Sequence, residues 1–223
     1  MAPAAAKGLQ PIDRAPTAGL IADQLREAIM SGDFAQGVQL GEADLAGRFG
    51  VSRGPVREAM QRLVQEGLLH SIRHRGLFVT ELTATDIRDI YAARTAVESA
   101  AVTLIVADEP ERSAAALSKA VGRMAAAVRR RDSAALSRSD LAFHELLVAE
   151  SRSPRLRRMA STLLVETRMC LSALPPKYVA PSELTTEHAE IVDAVARADR
   201  DRALALLEAH MQDAVERLTQ HHA

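Results

Sequence analysis

Aromatic residues are scarce in this 223-residue sequence: 3% in all, with four Phe, two Tyr and no Trp. A core without large rings must be filled by aliphatic side chains, and the 48% apolar fraction supplies them. Ala, Leu, Val and Arg dominate, a helix-forming vocabulary, so a mostly α protein is expected. Cysteine occurs once, at Cys170. That excludes an internal disulfide and suits a reducing cytoplasm. Its expected role is that of a small buried hydrophobe rather than a reactive thiol. Neither sign of charge is in excess, the net value being −1. Such balance argues against a chain that coats nucleic acid without regard to sequence, but leaves room for a reader of short sites. No signal-peptide pattern opens the sequence and no apolar run of spanning length is apparent. A soluble, cytoplasmic protein with no membrane partner is expected.

Against this background one stretch stands out, Val51 to Leu63. Ser52 sits where a helix N-cap belongs and Pro55 falls within the first turn, where its missing N–H costs nothing. Arg53 and Arg57 are one turn apart and share an exposed face. Val56, Met60, Leu63 and Val64 form the opposite, apolar stripe. A short helix with one buried face and arginines at its N-terminal end fits the recognition helix of a helix-turn-helix.

The neighbouring segments agree. Residues 1–16 are Ala/Pro-rich and read as a disordered tail. From Thr17, the spacing of Leu20, Ile21, Leu25, Ala28 and Ile29 predicts a helix that ends at Ser31-Gly32. Phe34 to Leu40 reads as a turn or short extended piece. Glu42 to Phe49 is a second helix, stopped by Gly50. The third runs from Arg53 to Glu66. Leu68–Ile72 and Leu77–Thr80 read as two strands around the tip Arg73-His74-Arg75-Gly76. Residues 17–80 are thus expected to form a winged helix-turn-helix, whose basic tip suits phosphate or minor-groove contact. Ser52, Arg53, Gly54, Arg57, Arg73, His74 and Arg75 are the candidate DNA-binding residues.

Residues 81–85 read as a linker, with Thr85 as the cap of the next helix. Residues 86–220 read as an antiparallel bundle of about six helices, punctuated by Pro110, Pro154, Pro175-Pro176 and Pro181. The expected spans are Asp86–Ala107, Arg112–Arg131, Ser133–Ser151, Pro154–Leu174, Ser182–Ala198 and Arg200–Gln220.

Several stripes of this bundle carry a polar residue on the apolar face. Arg94 lies among Ile87, Ile90, Tyr91, Val97, Ala101 and Leu104. Asp140 and His144 accompany Phe143, Leu147 and Val148. His188 lies among Leu184, Ile191, Val192 and Val195, and His210 among Ala203, Leu206, Leu207, Ala214 and Val215. Burying such groups is costly unless they pair or bind something. Asp140 and His144 are one turn apart and can reach a single ion. With His188 and His210 they form a three-His, one-carboxylate set suited to a divalent Zn, Ni, Mn or Fe ion, zinc being the first choice. Arg94 has two readings: an ion pair with Glu98, or a clamp for a carboxylate ligand.

These segments resemble a known family. Ser31-Gly32, Gly37, Glu42, Leu45-Ala46, Phe49–Arg53, Pro55–Ala59, Gly67-Leu68, Gly76 and Phe78-Val79 match in outline the motif of GntR-type regulators. Arg94 with Glu98, Asp140–His144, Glu187-His188 with Ile191, and Ala203 through His210 are similar to the FCD effector domain of the FadR subfamily. The six-helix count points to its VanR-like group. The resemblance implies a homodimeric, ligand-responsive transcription factor. It assigns DNA contact to Arg53 and Arg57, and metal ligation to Asp140, His144, His188 and His210. Arg94 is implied beside a bound organic acid. Three positions depart from the family pattern: Ala43 replaces a common basic residue, Gly54 another small residue, and Ser153 a frequent Asn.

The expected function is a regulator, more often a repressor, that binds a palindromic double-stranded operator. A small organic acid and a metal in the bundle would control it. Three rivals stand beside it: a metal-sensing regulator, a metal-dependent enzyme using the Asp/His/His/His site, and a bundle whose histidines are purely structural. No general base is evident for the enzyme, so a non-enzyme is expected.

Overall fold

Ala18, Ile21, Ala22, Leu25 and Ile29 recur every three or four residues and form the buried face of α1 (Thr17–Met30) in a computed structural model of the chain. The structure describes residues 17–172 and 181–220. The expected tail, Leu174 and the Pro175-Pro176 break lie outside the described residues. Leu20 does not belong to the α1 stripe: it is 57% exposed, on the far side of the helix. At 3.6 residues per turn it stands opposite Ala18 and Ala22.

After α1 come β1 (Gln39–Leu40), α2 (Glu42–Phe49) and α3 (Arg53–Gln65). The hairpin β2 (Leu69–Ile72) and β3 (Gly76–Val79) comes next. The sheet is antiparallel and three-stranded in the order β1-β3-β2, with Leu69 opposite Val79 and Gln39 opposite Phe78. The hairpin therefore gains a third strand from the stretch expected to be a turn or short extended piece. Gly50 ends α2 in the left-handed region, φ 64°, where a side chain would be strained. An Arg26–Glu66 pair, bidentate with both bonds at 2.8 Å, ties α1 to the end of α3.

The bundle comprises α4 (Ala84–Asp108), α5 (Pro110–Arg129), α6 (Ser133–Glu150), α7 (Pro154–Ser172), α8 (Pro181–Ala196) and α9 (Arg200–Thr219). Thr83, not Thr85, caps α4. Its hydroxyl accepts from the Asp86 amide while the Asp86 carboxylate accepts from the Thr83 amide, a reciprocal capping box. Helix α4 packs against α6, α7 and α9, and α5 packs against α6 and α8. Leu104, expected in the α4 stripe, is 46% exposed, just outside the buried arc of Val97, Ala101 and Ile105. By length and composition α4 is apolar enough to cross a membrane, contrary to the sequence expectation. Its apolar stripe lines the bundle core, and two charged residues, Arg94 and Glu98, are buried within it.

The two halves meet through α7. Arg168 pairs with Glu27 of α1 at 3.1 Å. The Gln36 amide donates to the Met169 carbonyl at 3.4 Å and its oxygen accepts from the Leu82 amide at 3.3 Å. Cys170, next along α7, is buried, and burial pushes its thiol up to about 12. An un-ionised, enclosed thiol behaves as the hydrophobe expected from the sequence.

Candidate functional site

Helix α3 is seated by Val56, Ala59, Met60 and Leu63, none more than 1% exposed. That burial leaves Ser52, Arg53, Gly54 and Arg57 facing solvent. Ser52 holds the N-cap position with extended backbone, but its hydroxyl makes no capping bond. Arg57 reaches back to Glu42 at the start of α2, with contacts of 2.8 to 3.1 Å. This guanidinium holds the Glu42 carboxyl below its usual range. At the wing tip Arg73, His74 and Arg75 are exposed, and His74 adopts a left-handed φ of 62°. The Arg75 guanidinium lies 5.4 Å from the centre of the Phe78 ring, and the Gln39 side chain donates to the Arg75 carbonyl. The tip is thereby pinned to the sheet.

Inside the bundle, α6, α8 and α9 bring Asp140, His144, His188 and His210 together, with one donor atom of each within 4.8 Å of all the others. His188 Nε2 stands 3.2 Å from Asp140 Oδ1, and His144 Nε2 stands 3.9 Å from the same oxygen. His144 Nε2 and His210 Nε2 are 3.2 Å apart. Two ligands each about 2.1 Å from a common ion would be separated by roughly 3.0 to 3.4 Å, so the two 3.2 Å spacings suit shared coordination, and the His144–Asp140 distance is wider.

The far side of every ring is anchored. His144 Nδ1 meets Glu98 Oε2 at 2.6 Å, His188 Nδ1 donates to the Leu184 carbonyl at 2.7 Å, and His210 Nδ1 meets Glu187 Oε2 at 2.7 Å. Each anchor leaves Nε2 facing the centre, which is how outer partners orient metal-ligating imidazoles. Phe143, fully buried, sets its edge against His188 at 4.5 Å and against His144 at 5.5 Å between ring centres. At the centre two atoms are left over. Asp140 Oδ1 and His188 Nε2 are buried with no hydrogen-bond partner, their contact being out of alignment for a bond. Unsatisfied buried groups of this kind call for an occupant.

The electrostatics of Asp140 and His210 agree, and that of His188 runs the other way. Burial alone would raise the Asp140 carboxyl, but its contact with His188 and the surrounding imidazoles outweigh burial and hold it well below the carboxylate range. Burial pushes His210 down to about 4, against the pull of Glu187. Burial also disfavours charge on His188, yet its Asp140 contact wins and raises it. The ionised Asp140 carboxylate and the neutral His210 imidazole are in the state in which such groups ligate a cation, whereas His188 must first give up the proton that Asp140 favours. The donor set, the anchored tautomers and the orphaned atoms all fit a divalent ion.

A cavity of about 50 Å³ adjoins the cluster, lined among others by Tyr91, Arg94, Asp140, His144, His210 and Arg217. Arg94 is 2% exposed and stacks at 4.8 Å from the Tyr91 ring centre. Its Nε donates to Glu98 at 3.0 Å, while Nη2 has no hydrogen-bond partner in good alignment. The Glu98 pairing expected of Arg94 is thus present, with Nη2 also 3.0 Å from Glu98 Oε1 but not aligned for a bond. Glu98, 1% exposed, is expected from the sequence only as that partner; its second bond, to His144, has no local signal. The Glu187–His210 bond and the presence of Arg217 in the cavity wall also escape the sequence reading. Arg217 stands two turns beyond His210 on the same face of α9, the one periodicity signal that could have found it.

Residues 17–79 match the gntR family of bacterial regulatory proteins, and residues 89–213 match the FCD domain. The chain belongs to the GntR family. Within it, the succession of a GntR helix-turn-helix and an FCD domain agrees with the FadR-type arrangement. An HTH-type transcriptional regulator of Bacillus subtilis, YdhC, is 30% identical over 88% of this chain and 88% of its own length. The gluconate operon transcriptional repressor of the same organism is 29% identical, covering 93% of this chain and 88% of the repressor. A putative GntR transcriptional regulator from Rhodococcus sp. RHA1 superposes with a TM-score of 0.78 at 28% identity, over 92% of this chain and 99% of that one. This GntR-family chain is thus a transcriptional regulator in architecture as well as in sequence.

Proposed function

We propose that the protein is a homodimeric repressor that binds a palindromic operator and is controlled by a small organic acid held beside a divalent metal. Arg53 and Arg57 read or position the operator from the exposed face of α3, helped by Ser52 and Gly54, and the Arg73-His74-Arg75 tip touches the flanking backbone. A bidentate Arg–guanine contact discriminates by about 1–3 kcal/mol. Arg57 leaves Glu42 to make such a contact, so Glu42 keeps it extended in the free protein.

Asp140, His144, His188 and His210 would hold the metal, which supplies a fixed positive charge for an anionic ligand. The single observation that carries this reading is the pair of orphaned atoms, Asp140 Oδ1 and His188 Nε2, facing each other among rings whose other nitrogens are all tied. Arg94 offers its Nη2 donor to the carboxylate of the acid, with room in the cavity for about four waters or a ligand of that size. One relative is named for the gluconate operon, and gluconate is itself a hydroxy acid. Leu171 lines the same cavity, three residues beyond Arg168, whose partner Glu27 lies on α1. Helix α7 thus connects the ligand cavity to the DNA-reading half. The acid acts only through its unequal affinity for the DNA-bound and free arrangements.

The test is fluorescence anisotropy of labelled operator DNA. Metal-loaded wild-type protein binds it with steep salt dependence, and a carboxylic acid that raises the melting temperature also weakens the binding. Arg53→Ala keeps the fold and loses operator selectivity. Undiminished selectivity in that variant removes the assignment of α3. DNA affinity that tracks metal and ignores every acid converts the protein into a metal sensor.

A further inference from the structure

Two arginines, not one, stand in the cavity wall, and each heads the same kind of chain. On one side Arg94 Nε meets Glu98 Oε1 at 3.0 Å, and Glu98 Oε2 meets His144 Nδ1 at 2.6 Å. On the other, Arg217 Nη1 stands 3.6 Å from Glu187 Oε1, and Glu187 Oε2 meets His210 Nδ1 at 2.7 Å. The two chains differ in tightness. Arg94 is sealed at 2% side-chain exposure, whereas Arg217 retains 26% and Glu187 25%. At 3.6 Å this is an ion pair without a well-formed hydrogen bond, so Glu187 holds Arg217 more loosely than Glu98 holds Arg94. Arg217 also lies past residue 213, where the match to the FCD domain ends.

We infer that the cavity takes a dicarboxylate, one carboxylate meeting Arg94 beside the metal cluster and the other meeting Arg217 at the more exposed end. This rests on the reading of the cavity as the effector site and adds the ligand class. The chemistry comes from the placement of the two guanidinium groups. Arg217 can present a planar fork that matches a carboxylate, Arg94 adds the donors that Glu98 leaves, and a partly dried wall strengthens both contacts. A monocarboxylic acid would satisfy Arg94 and leave an alkyl end against Arg217. That end cannot replace the water the guanidinium gives up, so such ligands bind more weakly.

The experiment is calorimetric titration of the metal-loaded full chain with malonate, succinate and glutarate, each compared with the monoacid of the same length, propionate, butyrate and valerate. At least one diacid binds about tenfold or more tightly than its monoacid partner, the usual worth of a charge-assisted bond. In Arg217→Met, which keeps the aliphatic stem, that preference falls to about threefold or less, with monoacid affinity and metal content unchanged. Arg217→Lys restores part of the preference. Equal binding of diacids and monoacids by the wild type overturns the inference, as does a preference that survives Arg217→Met. Loss of metal in Arg217→Met also overturns it, because Arg217 would then act on His210 rather than on the ligand. The effector-site reading fails separately: no acid binds the wild type at all, or monoacid binding is indifferent to Arg94→Ala.

Discussion

The α3 surface and the centre of the bundle both carry charge, and they carry it on opposite terms. Arg53 and Arg57 stand in solvent, one of them resting on Glu42. Their hydration costs the fold nothing, and their removal leaves the helix seated on Val56, Met60 and Leu63. In the bundle, Arg94, Glu98, His144, His188 and His210 are all 4% exposed or less. There each charged or polar group has given up water and depends on its neighbour. On the function proposed above, DNA contact at α3 can be deleted from the surface without disturbing the fold. At the centre the groups assigned to ligand binding are the same ones that keep buried charge satisfied, so function and stability are joined.

The sharpest way to break this contrast is to cut one carboxylate from each region. Glu98→Ala strands both Arg94 and His144, and removing one partner of a buried pair costs about 3–5 kcal/mol. Urea denaturation of the metal-free protein should show that loss, with a smaller one for Glu98→Gln. Glu42→Ala, which removes the exposed partner of Arg57, should leave the midpoint unchanged. Similar losses in the two variants would abolish the distinction between the regions.

A gentler probe is pH, again on metal-free protein. The His210 value of about 4 in the folded chain lies below the usual 6.5. Between these values the unfolded chain binds the proton more readily, so stability falls as pH drops through that window. His188 is shifted the other way, and its contribution is complete below 6.5 and lost as pH rises through its folded value. The melting temperature should therefore peak near pH 6.5, with His210→Gln flattening the acid side and His188→Gln the alkaline side. The surface variant Arg53→Ala should track the wild-type curve.

Much of this is legible in the sequence, for reasons that differ by region. The DNA-reading half declares itself through local rules: Gly50 where a left-handed residue is needed, Pro55 within the first turn, and a basic hairpin tip. The bundle cluster shows as polar residues at apolar positions, since periodicity alone places Asp140, His144, His188 and His210 inward. What periodicity cannot give is which inward residues from different helices meet. The Glu98–His144 and Glu187–His210 bonds join residues far apart in sequence and depend on how α4, α6, α8 and α9 cross. Arg217 is easily overlooked because an arginine near a helix C-terminus has an ordinary role there, answering the helix dipole. Leu20 and Leu104 mislead in the reverse direction: both are apolar and near the right spacing, but a step of about 100° carries each out of the buried arc. Thr83 rather than Thr85 caps α4 because Asp86 can close the reciprocal bond only with Thr83.

The central claim is that the buried Asp and His cluster exists to hold a metal. Its most direct test is elemental analysis of purified wild-type protein and of a His144→Ala/His188→Ala variant, with circular dichroism to verify that the variant remains helical. The account predicts about one divalent ion per wild-type chain and essentially none in the variant, as expected for a four-ligand site that loses half its donors. Equal metal content in the two folded proteins would contradict it and leave the three histidines as structural residues of the core.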